Sequence, residues 1–295
     1  MKDFEQKNIE SFAITDVGKV RKNNEDAVLA MPLAGCFLVS DGMGGGKAGE
    51  VASSMMVNET EKAFRTNDSE MTPGEREGLL IRTAYRVNFN IKDYAESHNF
   101  TSMGATVIAL ILDPWHPDTA SIFHAGDSRA YRIRNDKIEQ LMEDHSVAAS
   151  SNVSESKIAP MFRGVLTNAL GTGNDFFLER TAIDIQEDDV FILCSDGLTR
   201  MVNDHELLQI FNSIRYETVK IIASTFLQAA LERGGRDNVS IIVLRIKKID
   251  IAYEPSEAEA ERDSNAQMRN LMDLTDTPPT EIVCNTSVFK KNKEK

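Results

Sequence analysis

Four apolar runs constrain this chain most: GCFLVSD at 35–41, ATVIALIL at 105–112, DVFILCSD at 189–196 and NVSIIVLRI at 238–246. None alternates apolar with polar residues, so a strand built from any of them has two apolar faces and no side suited to water. Only a fold that covers both faces of its sheets accommodates them. The intervening segments narrow the choice. ATVIALIL, TASIFHAG, RAYRIR and KIEQLM follow one another closely, with Asn135 and Asp136 as a tight turn, which predicts antiparallel hairpins rather than a parallel sheet wound through helices. Helical spacing of apolar residues runs from Ala48 to Met56, from Leu80 to Tyr94 and from Val219 to Ala230. The expected fold is α+β: a four-layer α-β-β-α sandwich, two central antiparallel sheets flanked by helices.

The last apolar run ends near Ile246, so residues 1–248 are expected to form one domain. Residues 249–295 are polar and read as a flexible tail with room for one short helix. With 33 basic and 46 acidic residues the formal charge is −13, which argues against general affinity for nucleic acid or an anionic membrane. Cys36, Cys194 and Cys284 are scattered, giving neither a disulfide framework nor a CxxC zinc pattern. MKDFEQKNIE lacks the apolar core of a signal peptide, and no apolar run approaches the ~20 residues of a membrane span. A monomeric cytoplasmic protein is expected.

Acidic residues recur at turns beside these runs: Glu25 and Asp26 in RKNNED, Asp41 in LVSDGMGGG, Asp127 in HAGDSR, Asp196 in LCSDGL and Asp237 in GGRDN. Converging carboxylates repel unless a cation holds them, so a metal site assembled from distant segments is one reading. Each acid also has a plain structural alternative. Asp41 opens a glycine-rich turn that equally suits a phosphate cradle, although no GK followed by Ser or Thr completes a P-loop, since Ala48 follows Lys47. Asp196 can cap a helix, Asp127 can cap a turn, and Asp237 with Asn238 can shape one. Arg21 places a guanidinium four residues before Glu25, able to grip a phosphate. The histidines show no HExxH or HxH spacing, and neither GxSxG nor CxxxxxR is present, so covalent catalysis through serine or cysteine has no support.

Taken together, RxxNED, DGMGGG, MGATV, GDSRAY, DHS, LTNALGT, DVFILCSDGL and GGRDNVSIIVL resemble, in order, the metal-dependent serine/threonine protein phosphatases of the PP2C (PPM) family, bacterial branch, from about Phe12 to Ile246. The resemblance implies two Mn²⁺ or Mg²⁺ ions bridged by Asp41, with Glu25 and the Gly42 carbonyl on one and Asp196 and Asp237 on the other. Asp127, with Asp196, would hold a third, weaker ion. Asp26 and Asn238 would support these ligands, and Arg21 would hold the substrate phosphate. Water activated by the metals would then attack phosphoserine or phosphothreonine directly, and the partners would be phosphorylated proteins and a Hanks-type kinase that the enzyme opposes. Many eukaryotic members carry histidine where this chain has Met43. The segment from His145 to Arg163 falls where the family has a mobile flap. An inactive phosphoprotein-binding module is the alternative of another class; the intact Glu25, Asp41, Asp196 and Asp237 weigh against it.

Overall fold

The computed structural model describes residues 8–45, 47–66, 71–151, 159, 164–173, 175–250 and 252–275. In chain order the elements begin with β1 (Ile9–Asp16), β2 (Asp26–Met31), β3 (Cys36–Met43), α1 (Lys47–Thr66) and α2 (Pro73–Ser97). Next come β4 (Gly104–Ala105), β5 (Val107–Leu112), β6 (Thr119–Ala125), β7 (Arg129–Arg134), β8 (Lys137–Gln140) and the short α3 (Val147–Ser150). The chain continues through β9 (Glu179–Asp184), β10 (Val190–Cys194), α4 (Asp196–Thr199), α5 (Asp204–Ile214), α6 (Val219–Glu232), β11 (Val239–Ile246) and α7 (Glu257–Thr275).

One sheet runs β1-β11-β10-β7-β8; the other runs β2-β3-β5-β6-β9, with β4 paired to β3. All pairings are antiparallel. The β7–β8 hairpin turns at Asn135 and Asp136, both at positive φ, a conformation asparagine and aspartate tolerate better than most residues.

The uninterrupted apolar runs now have their explanation. In β3, Phe37 and Val39 enter the core between the sheets, while Cys36 and Leu38 pack beneath α1 and α2. In β10, Phe191 and Leu193 face the opposite sheet, while Val190, Ile192 and Cys194 pack beneath α5 and α6. Period-two geometry sends successive side chains to opposite faces, and both faces are dry, so every position is apolar. The two cysteines are buried, and burial pushes each thiol up to about 12, which leaves them inert. Helix α5 carries its sequence signature at its start: Asn203 and Glu206 form a reciprocal capping box. Among the described residues no helix is long and apolar enough to cross a membrane.

The C-terminal segment departs from expectation. Instead of a flexible tail with one short helix, residues 257–275 form a 19-residue helix, α7, docked along α2; residues 276–295 lie outside the described residues. The docking is polar. Asp263 accepts a hydrogen bond from the Gly74 amide at 2.7 Å, and Asn270 donates to the Gly74 carbonyl at 2.7 Å. Gly74 lies in the first turn of α2, whose amides lack intrahelical partners, so the Asp263 carboxylate serves as a remote cap at the positive end of that helix. Gly78 lets the helices approach: a Cβ there would fall on Asn270 Oδ1. No apolar stripe announces α7 because it binds backbone. Asp263→Ala and Asn270→Ala should each lower the unfolding free energy by about 1–2 kcal/mol, since each strands a buried backbone group. Unchanged urea midpoints in both variants would mean that α7 is not docked in solution.

Candidate active site

Antiparallel pairing places the ends of β3, β6 and β10 and the starts of β2, β7 and β11 along one edge of the sandwich. Every turn-borne acid lies on that edge. Asp26 and Asp41 are direct cross-strand partners. Asp127 follows β6, Asp196 follows β10, and Asp237 precedes β11. A cavity of about 410 Å³ is lined by Arg21, Glu25, Asp41, Asp127, Asp196 and Asp237, together with Gly42 and Asn238. The structure thus brings together all the sequence-derived residues except Asp26, which lies beneath them.

Local contacts explain how each is held. Thr106 pins Asp41 from both sides: its Oγ1 accepts from the Asp41 amide at 3.0 Å, and its amide donates to the Asp41 carbonyl at 2.8 Å. The Glu25 backbone is held at both polar atoms. Its amide donates to Asn238 Oδ1 at 2.9 Å, and its carbonyl accepts from the Gly42 amide at 3.0 Å and the Ser53 hydroxyl at 2.6 Å. Asn238 also donates to the Val17 and Asn23 carbonyls, tying the β1–β2 loop that carries Glu25 to the segment that carries Asp237. Gly42 and Gly49 allow β3 and α1 to close over Glu25: a Cβ on Gly42 would strike the Glu25 carbonyl, and one on Gly49 would strike Glu25 Oε2. Asp26 Oδ2 accepts from the Ser195 hydroxyl at 2.7 Å. Asp196 is not a cap; Ser195 holds the N-cap position of α4 and Asp196 is the first helical residue.

The electrostatics are those of crowded acids. Burial, then the charges of Asp26, Asp196, Asp127 and Asp237, hold the Asp41 carboxyl well above the usual carboxylate range. Burial pushes Asp26 up to about 6 against the hydrogen bond from Ser195, and burial with Asp127 pushes Asp196 up to about 7. Burial also raises Asp127, with Arg200 opposing it. Two buried oxygens, Asp26 Oδ1 and Asp196 Oδ1, have no hydrogen-bond partner. Two guanidiniums enter the cluster: Arg21 Nη2 lies 2.8 Å from Asp237 Oδ2, and Arg200 Nη2 lies 2.6 Å from Asp196 Oδ2. Sequence reasoning did not single out Arg200; its i+4 spacing from Asp196 in DGLTR is the signal that points to it.

The expected flap, 145–163, falls largely outside the described residues. Ser146 and Leu166, on either side of the undescribed residues, form an antiparallel bridge. His124 behaves as a structural histidine. It is fully buried, donates from Nε2 to the Glu143 carbonyl at 2.9 Å, and is lowered to about 4 by burial and by His145, which keeps it neutral. With His145 and Glu179 it forms the one group of His, Cys, Asp or Glu, among the described residues, whose ligand atoms lie within 4.8 Å of one another. That group is separate from the turn-borne acids. Its two imidazoles are stacked at 4.3 Å, a poor arrangement for aiming both rings at one ion.

Carboxylates converging with two guanidiniums at one edge of a two-sheet sandwich form a candidate site for divalent cations and a phosphoryl group. The family model described as Protein phosphatase 2C matches residues 19–233. The Serine/threonine phosphatase stp of Listeria innocua is 34% identical over 245 residues, covering 78% of this chain and 93% of that protein. Among solved structures, PppA, described as a key regulatory component of T6SS in Pseudomonas aeruginosa, aligns with a TM-score of 0.72 at 31% identity, covering 81% of this chain and 97% of that one. The catalytic domain of the phosphatase PstP, in complex with 2 manganese ions, aligns with a TM-score of 0.68 at 27% identity, covering 82% and 99%. The chain belongs to the protein phosphatase 2C family.

Proposed function

We propose that this protein phosphatase hydrolyses phosphoserine and phosphothreonine in proteins at a pair of divalent cations, Mn²⁺ or Mg²⁺. Glu25, Asp41, Asp196, Asp237 and the Gly42 carbonyl would hold the pair, with Asp127 available to a third, weaker ion. One observation carries the reading: acids from distant turns share one cavity, and a buried carboxylate oxygen of one of them, Asp196 Oδ1, has no partner. The donors are all oxygen, which suits hard cations over zinc. Likeness to a phosphatase structure that contains manganese supports the same choice. Such ions supply Lewis acidity and an activated water nucleophile, so no serine or cysteine nucleophile is required.

The chain's own residues divide the remaining work. Asp41, on β3 with its backbone held by Thr106, would be a ligand of the metal pair. Asp26 supports Asp41 across the strand pair, and Asn238 fixes the Glu25 backbone. Arg21 rims the cavity at 47% side-chain exposure, where its guanidinium can leave Asp237 and grip two phosphate oxygens. Local cations and Arg21 thereby overcome the −13 formal charge that would otherwise repel a phosphoprotein. By family analogy, the phosphoproteins are products of a Hanks-type kinase in the cytoplasm.

The direct test is hydrolysis of a phosphothreonine peptide with Mn²⁺ and with EDTA. Turnover is expected only with the metal, and undiminished turnover in EDTA would remove the metal centre. Arg21→Ala should raise KM about tenfold with a smaller change in kcat, reflecting loss of ground-state phosphate binding. An unchanged kcat/KM would take Arg21 out of the phosphate clamp.

A further inference from the structure

The mechanism above uses Arg21 and leaves Arg200 without a task. Arg200 closes α4 four residues after Asp196, so the helix backbone itself delivers its guanidinium to that carboxylate. Nη2 lies 2.6 Å from Asp196 Oδ2 and 3.7 Å from Asp127 Oδ2, and Nη1 lies 3.9 Å from Asp237 Oδ2. Three acids from three separate turns therefore face one guanidinium. The same side chain also borders a second cavity of about 940 Å³, whose lining includes Gln140, Glu143 and Arg236.

We propose that Arg200 is a tethered counter-ion that competes with a divalent cation for the Asp127–Asp196 pair. This rests on the metal-centre reading. The competition follows from the contact: the lone pair of Asp196 Oδ2 that accepts from Nη2 is one a cation would need, and a guanidinium beside a divalent ion is repelled. Asp196 Oδ1, buried and without a partner, stays open to a cation from the other side. The exchange needs little rearrangement. Arg200 is 42% exposed at its side chain, and the larger cavity beside it receives the displaced guanidinium without burying its charge. Because arginine stays charged at any working pH, the balance is set by cation concentration and ionic strength rather than by protonation of the competitor.

The test is calorimetric titration of Mn²⁺ into the metal-stripped full-length chain as wild type, Arg200→Gln and Arg200→Lys. Expected is about tenfold tighter binding at the weakest Mn²⁺ site in Arg200→Gln, with Arg200→Lys between it and wild type. A merely structural arginine would lower the melting temperature without metal and leave the isotherm unmoved. Superimposable isotherms, or weaker binding in Arg200→Gln, would overturn the proposal while leaving the metal centre in place. Equal tightening in Arg200→Gln and Arg200→Lys would overturn it too, by assigning the effect to shape rather than charge. Absence of Mn²⁺ binding in all three proteins would overturn both the metal centre and the competition.

Discussion

Asp41→Asn should lower kcat/KM toward a phosphothreonine peptide by about three orders of magnitude or more, some 4 kcal/mol of transition-state stabilisation, while leaving a folded protein. The amide has nearly the shape of the carboxyl. Both backbone bonds between Asp41 and Thr106 are independent of the side chain and survive the change. What disappears is the negative charge in the middle of the cluster. Asp26, Asp196, Asp127 and Asp237 all raise Asp41 by their charge, so without metal the variant is relieved of that repulsion and should melt higher than wild type. Lost activity with gained metal-free stability is a signature that misfolding cannot produce. A variant that loses both, or that retains more than about a tenth of wild-type kcat/KM, would remove Asp41 from the centre of the reaction.

The second large effect is on stability. Asp26 at about 6 and Asp196 at about 7 both sit above the ordinary aspartate value of 3.8, and Asp41 and Asp127 shift the same way. The folded protein therefore holds protons that the unfolded chain has already released. That contribution is full below the unfolded value near 4 and is lost as pH rises through 6 and 7, so stability falls with rising pH. In chelator, the melting temperature should decline from pH 5 to pH 7.5, at a cost on the order of 1 kcal/mol per unit of displacement held by each group. Ordinary surface carboxylates are already ionised across that window; buried His124, lowered to about 4, contributes the opposite slope up to about pH 6.5, so the decline is steepest above that pH. Mn²⁺ at about a hundredfold excess over its dissociation constant should return about 3 kcal/mol at pH 7.5, several degrees of melting temperature. A flat profile in chelator, or no shift with millimolar Mn²⁺, would contradict a preformed acidic cluster.

The four apolar runs became central strands because two-sided burial is written into each run as an unbroken series of apolar residues, without reference to any other segment. The Asn135–Asp136 turn was legible for the same reason, since positive φ selects its residues locally. The acids were legible as strand-end residues, and the resemblance assembled them into a set. Arg200 was not. Its contact with Asp196 follows from helical spacing, but its nearness to Asp127 and Asp237 depends on how three loops meet. Helix α7 was read as tail because its docking face consists of Asp263, Gln267 and Asn270, ordinary surface residues until Gly74 and Gly78 of α2 lie beneath them.

The sequence by itself determined the architecture, two doubly covered antiparallel sheets, and the places where acids emerge from them. Those properties rest on side-chain polarity at successive positions, which each segment carries alone. Only the tertiary structure decided that Asp26 and Asp41 stand opposite each other, that Arg200 is shared among three carboxylates, and that a polar C-terminal helix caps α2. Each depends on distances between groups far apart in the chain, and electrostatic and hydrogen-bond energies are set by those distances rather than by composition.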